Sequence, residues 1–209
     1  MPIHDWTRVD ADVFHAFRHR WLGALCDALN AGQLPDAHYA LVEPARGADR
    51  IAVRHRQDGV VAVVEIVSPG DKAGEAALRG FVEAMTEAIV GRVHVLVVDL
   101  FPPGPHDPQG IHKAIWDALE EEDFELPADR PLIAASYDSG PMPVSYVEPM
   151  AVGEILPEMP LFLEPGSYVP APLEATYQAA WDVFPEALKD RFHSGHASGR
   201  GGTASGTPT

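Results

Sequence analysis

Glu65 is the side chain in this sequence best placed for chemistry. It interrupts the apolar run Gly59–Val67, GVVAVVEIV, whose β-branched residues read as a buried strand. A carboxylate inside such a strand is costly unless a cation, a proton or hydrogen-bond donors compensate it. Two readings follow: a structural ion pair with Arg54, Arg56 or Lys72, or an acid held for catalysis or metal binding. Ser68-Pro69-Gly70 halts the strand and places Asp71 and Lys72 at the expected mouth of a helix. That turn either simply ends the strand or offers a site for an anion or a metal-bound phosphate.

Other residues form looser groups. His15 and His19 stand four apart on a helix, with Cys26 on the same flank, a spacing that can bind a transition metal. No acid or third histidine completes that set, and the alternative is a pair of histidines at the edge of the core. Asp99 ends a buried strand, VHVLVVDL, while His106, Asp107 and His112 gather around the next helix start. Ligands of α/β proteins collect at the carboxyl ends of strands. Asp107-Pro108 equally reads as a helix cap followed by a first-turn proline. Glu43 is the spare acid upstream of Glu65, whereas Asp58 belongs to a hairpin turn where Asp-Gly is favoured for backbone reasons. The four tryptophans, Trp6, Trp21, Trp116 and Trp181, read as packing residues, and the acids from Glu120 to Asp123 as a solvated face. There is no G-x-G-x-x-G, Walker loop, G-x-S-x-G elbow or paired-cysteine zinc site.

Periodicity predicts the elements that hold these residues. Thr7 reads as the cap of a first helix carrying Val13, Phe14, Phe17, Trp21, Leu25 and Leu29, which ends near Gly32. A strand over 38–43 follows, then a hairpin over 50–56 and 60–67 around Gln57-Asp58-Gly59. Leu78, Phe81, Val82, Met85 and Ile89 mark a second helix, and 93–100 a buried strand. A helix starts at Asp107, strands follow at 131–137 and 144–147, and a short apolar piece lies at 161–163. A last helix starts near Pro172 and bends at Pro185. The prediction is a single α/β domain over 1–193 with a mixed central sheet flanked by helices and an irregular Pro-rich C-terminal extension. Residues 194–209, rich in Gly and Ser, read as a disordered tail.

Composition narrows the function classes. The chain has 209 residues, 46% of them apolar, enough for one ordinary core. With 31 acids against 15 Lys and Arg the net charge is −16, a surface that repels phosphate backbones. Nucleic-acid binding would therefore need a local basic patch or divalent ions. A single cysteine excludes a disulfide framework, the N-terminus lacks a signal-peptide pattern, and no apolar run is long enough to span a membrane. A cytoplasmic protein is expected.

Four stretches, MPIHDWTRVDADVFHAFRHRW, VVAVVEIVSPGDK, VVDLFPPGPHDPQGIHKAIW and VPAPLEATYQAAW, resemble in that order the bacterial family named domain of unknown function 4058. The resemblance covers nearly the whole chain apart from the tail. The strand that ends in Glu65-Ile66-Val67-Ser68-Pro69 is also similar to that of the Uma-type restriction endonuclease family, which has the PD-(D/E)xK nuclease-like fold. Its core is a helix, three meandering strands, a helix and a further strand. In active members an Asp and a Glu on adjacent strands bind Mg²⁺, and a Lys orients or activates water. The resemblance implies that Glu65 is the metal-binding and catalytic acid. Val67 stands where the lysine belongs, so Lys72 would have to substitute for it, and Glu43 would have to serve as the second acid.

The function expected from this resemblance is a Mg²⁺-dependent phosphodiesterase acting on nucleic acid, with an incomplete motif. The alternative is a non-catalytic binding or assembly module on the same fold, its prolines and late aromatic residues forming an interface with a protein partner or a second copy.

Overall fold

The computed structural model describes residues 2–45, 49–120 and 123–194. Ile3 anchors the N-terminus by exchanging backbone hydrogen bonds with Glu154 and Gly153, at 2.7 and 2.9 Å. A single 3₁₀ turn, Trp6–Arg8, then leads into α1 (Ala11–Ala28). The expected cap at Thr7 is corrected here. Thr7 donates its own N–H and hydroxyl to Asp5, and Asp10 holds the extended position before α1.

Strands β1 (His38–Glu43), β2 (Arg50–His55) and β3 (Gly59–Ile66) form an antiparallel meander. Helix α2 (Glu75–Val90) crosses over to β4 (His94–Asp99), which lies parallel to β3. Helix α3 (Gly110–Trp116) leads to β5 (Leu132–Asp138) and β6 (Val144–Met150), and these complete a mixed six-stranded sheet in the order β1-β2-β3-β4-β5-β6. A separate ribbon of β7 (Met159–Glu164) and β8 (Ser167–Ala171) follows, then α4 (Leu173–Asp182), α5 (Glu186–Lys189) and α6 (Arg191–Ser194).

The segment expected to be irregular is therefore largely regular. Its prolines fit because Pro149 lies on the edge strand β6, where a missing N–H costs no ladder bond, and Pro160 and Pro170 face each other in the two-stranded ribbon. The start of the expected tail is also displaced, since α6 includes Ser194; residues 195–209 lie outside the described residues.

The sheet buries both faces, which is why β3 and β4 are almost continuously apolar. On one face Val64, Ile66, Leu96 and Val98 pack with α1 and α4, where Trp6, Phe17, Trp21, Tyr177 and Trp181 form an aromatic cluster. The Tyr177 hydroxyl lies 3.2 Å from Trp6 Nε1 and 2.7 Å from His4 Nδ1, tying the N-terminus to α4. On the other face Val63, Val67, Val95 and Val97 pack with α2 and α3. All four tryptophans are buried, as expected. The late aromatics Tyr177, Trp181 and Phe184 are buried too, so they supply no interface; Tyr146 and Tyr168, either side of Phe162, are exposed. No helix among the described residues is long and apolar enough to cross a membrane.

One glycine carries a steric demand. Gly110 has φ of 79°, and a Cβ there would lie 2.6 Å from Ile133 Cδ1 in β5. Gly110→Ala combines backbone strain with overpacking, so chemical denaturation should show a loss of roughly 1–3 kcal/mol.

Candidate functional site

Glu65 points to the α2 face of the sheet, in line with Val63 and Val67, and only 6% of it is exposed. What faces it is set by a bulge. The hairpin pairs His55 with Gly59 and Arg54 with Val60, but then Val53 with Ala62 and Ile51 with Val64. The register shifts by one residue, and carried one step further it sets Arg50 opposite Glu65. Arg50 in turn pairs with Glu43 on β1. Three adjacent strands thus bring Glu43, Arg50 and Glu65 into one row.

Arg50 divides unequally between the two acids. Its Nη2 donates to Glu43 at 3.2 Å, whereas Nη1 stays 3.9 Å from Glu65. Arg54 holds the second Glu43 oxygen at 2.9 Å, and these hydrogen bonds keep Glu43 below the ordinary carboxylate range. Glu65 accepts no hydrogen bond among the described residues. Burial pushes its pKa up to about 8, against the opposing pull of Arg50 and Arg18. Arg18, on α1 and also buried, donates to the Ile66 carbonyl at 2.6 Å and the Asp49 carbonyl at 2.5 Å, so its charge acts on Glu65 without a direct bond.

The turn after β3 is locked by its own residues. Asp71 Oδ2 accepts from Ser68 N at 2.8 Å and Ser68 Oγ at 2.7 Å, and Asp71 N returns a bond to the Ser68 carbonyl. Helix α2 starts only at Glu75, after Gly74, so Asp71 and Lys72 do not lie at its mouth as expected. The Ser68 hydroxyl is committed to Asp71 rather than presented to an anion.

Lys72 and Glu65 are not brought together. The Lys72 ammonium donates to Asp99 Oδ2 at 2.8 Å and to the carbonyls of Phe101 and Pro102, with Asp107 Oδ2 in ion-pair contact at 2.8 Å. An ammonium has three protons, and these partners exhaust them. Burial works against the Lys72 charge, but the two aspartates more than offset it and hold the pKa above its usual range. Asp99 is fully enclosed, and burial raises its pKa to about 6 despite Lys72. Asp107 takes Gly104 N at 2.7 Å through its other oxygen. The expected cap at Asp107 is thus corrected: Gln109 precedes α3, and Asp107 belongs to a buried clamp joining the 68–74 turn to the proline loop.

The expected place of His15 and His19 at the edge of the core is corrected, and of the candidate histidines only His112 packs in the interior. His112 is buried against Tyr137, Trp116 and Phe124, its Nδ1 3.0 Å from the Tyr137 hydroxyl, and burial lowers its pKa to about 4. His15 and His19 are exposed on the outer side of α1, and His19 lies 3.5 Å from Asp49, while Cys26 is buried with Asn30 Nδ2 3.7 Å from its sulfur. Among the described residues no three His, Cys, Asp or Glu side chains converge as a metal would require. The Mg²⁺ expected at Glu65 and Glu43 does not fit this donor set: each oxygen of Glu43 is held by an arginine, and a guanidinium stands between the two acids.

What the row does border is a cleft. Between α2 and the sheet lies a cavity of about 730 Å³, lined by Arg50, Glu65, Ser68, Asp71 and the exposed Glu87 on its polar side. Val60, Val63, Phe81 and Met85 supply apolar wall. The space exists because α2 presents Ala76, Gly80, Ala84 and Ala88 at four-residue intervals, a stripe without bulk. In comparisons with family models, with curated proteins and with solved structures, nothing matched the chain.

Proposed function

We propose that this protein is a non-catalytic binding or assembly module on a nuclease-like core. The element order α1-β1-β2-β3-α2-β4, with β3 and β4 parallel, agrees with the core implied by the resemblance to Uma-type proteins and supports that framework. The observation that carries the functional reading is Arg50, which occupies the β2 position opposite Glu65 where metal chemistry needs an acid. The withdrawal of Lys72 into the Asp99–Asp107 clamp supports it, as does a net charge of −16 that opposes approach of nucleic acid. The competing reading is a Mg²⁺-dependent phosphodiesterase using Glu65.

The two readings separate in one experiment: calorimetric titration with Mg²⁺ and Mn²⁺, with plasmid DNA and single-stranded RNA assayed for cleavage under each ion. The binding-module reading expects no saturable uptake of either ion and no cleavage by wild type. Metal-dependent cleavage that disappears in Glu65→Gln would establish the phosphodiesterase instead.

A further inference from the structure

The groups lining the Glu65 cleft differ in what they have left to offer a ligand. Among the described residues Arg50 is the only cation on the polar side; its Nη2 is bound to Glu43, and its unpartnered Nε is sealed from solvent. Ser68 donates to Asp71. The lining groups left without a hydrogen bond among the described residues are Arg50 Nη1, which faces Glu65 at 3.9 Å, and the acceptors: both oxygens of Glu65, Asp71 Oδ1 and the exposed carboxylate of Glu87. A nearly buried carboxyl without a hydrogen-bond donor, facing a cavity large enough for a small molecule, calls for a ligand that brings donors and positive charge. The small-residue stripe on α2 and the apolar side chains opposite it call for an apolar body.

We propose that the cleft between α2 and β3 binds a small primary amine with an apolar body, its ammonium seated on Glu65 and its apolar part along Ala76, Gly80, Ala84 and Ala88. The inference rests on the reading of this cleft as a non-catalytic binding site. The charges facing Glu65 come from Arg50 on β2, Arg18 on α1 and Asp71 in the turn; Arg50 stops 3.9 Å away and bonds Glu43, and Arg18 donates to the Ile66 and Asp49 carbonyls, so neither arginine hydrogen-bonds Glu65. The ammonium supplies the hydrogen-bond donors that Glu65 lacks, and binding exchanges the carboxyl proton for the ligand. An acidic protein surface favours the approach of such a cation.

The test is calorimetry of the full chain with 2-phenylethylamine, 2-phenylethanol and phenylacetate. The amine should bind saturably, and the alcohol and carboxylate at least about tenfold more weakly, since only the ammonium forms a charge-assisted bond with Glu65. Glu65→Gln should weaken the amine by at least about tenfold. Gly80→Leu, at a helical position where a Cβ meets nothing within 4 Å, should fill the cleft and abolish binding while the fold persists, as checked by circular dichroism. Equal binding of the alcohol, tighter binding of phenylacetate, indifference to Glu65→Gln, or no binding of the amine would each overturn the proposal. Amine binding that fails alongside absent metal-dependent cleavage removes this inference alone; metal-dependent cleavage removes the reading beneath it.

Discussion

Replacing Glu65 with glutamine should make the protein more stable at alkaline pH and leave it nearly unchanged near pH 4. The folded carboxyl holds its proton up to about pH 8, whereas an exposed glutamate releases it near 4.5. A raised folded pKa contributes stability that is complete below the unfolded value and is lost as pH rises through the folded one. Wild type therefore loses stability between about pH 4.5 and 8, a span in which the glutamine variant has no proton to release. Each pH unit in that window costs wild type roughly 1.4 kcal/mol, discounted for the small part of the carboxyl that meets solvent, so the variant should gain roughly 3–4 kcal/mol across it. For a chain of this size that is a Tm difference of roughly ten degrees at the alkaline end. Thermal melts of both proteins from about pH 4 to 9 read the effect directly, and two parallel curves would contradict it.

Lys72→Met should be strongly destabilising. It leaves Asp99 and Asp107 buried beside each other with no countercharge, and the carbonyls of Phe101 and Pro102 lose a donor. Breaking a buried ion pair by removing one partner typically costs roughly 3–5 kcal/mol. The deficit should shrink as pH falls toward about 5, because Asp99 already titrates near 6 with Lys72 present and protonates more readily without it. Urea denaturation at about pH 7.5 and about pH 5 distinguishes this from simple loss of packing, which would be the same at both.

Much of the framework is legible in the sequence, because its signals are local. The apolar runs of β3 and β4, the amphipathic spacing of α1 and α2, and the Asp-Gly hairpin turn each state their structure within a few residues. Glu65 stands out for the same reason, as one acid in an apolar run. Its partner does not. Local patterning offers Arg54, Arg56 and Lys72 and misses Arg50, because a one-residue bulge between Val53 and Arg54 shifts the register so that Arg50, rather than Asp49, faces Glu65. The available signal is the pairing of Glu43 with Arg50 at the far end of the same meander. Lys72 escapes for a different reason. Its anchors, Asp99 and Asp107, come from a strand end and a proline loop that meet the turn only in three dimensions, and Asp107 has a ready local explanation as a helix cap. The prolines from Pro149 to Pro170 suggest irregular chain because their positions on an edge strand and a two-stranded ribbon depend on sheet order.

The protonation state of one carboxyl separates a binding cleft from a metal site, and ¹³C-detected NMR titration of the glutamate side chains measures it. The resonance that vanishes in Glu65→Gln should titrate with a midpoint near 8, unchanged by millimolar Mg²⁺. A midpoint in the ordinary glutamate range, or one drawn down by Mg²⁺, would contradict the binding-cleft reading and return Glu65 to metal chemistry.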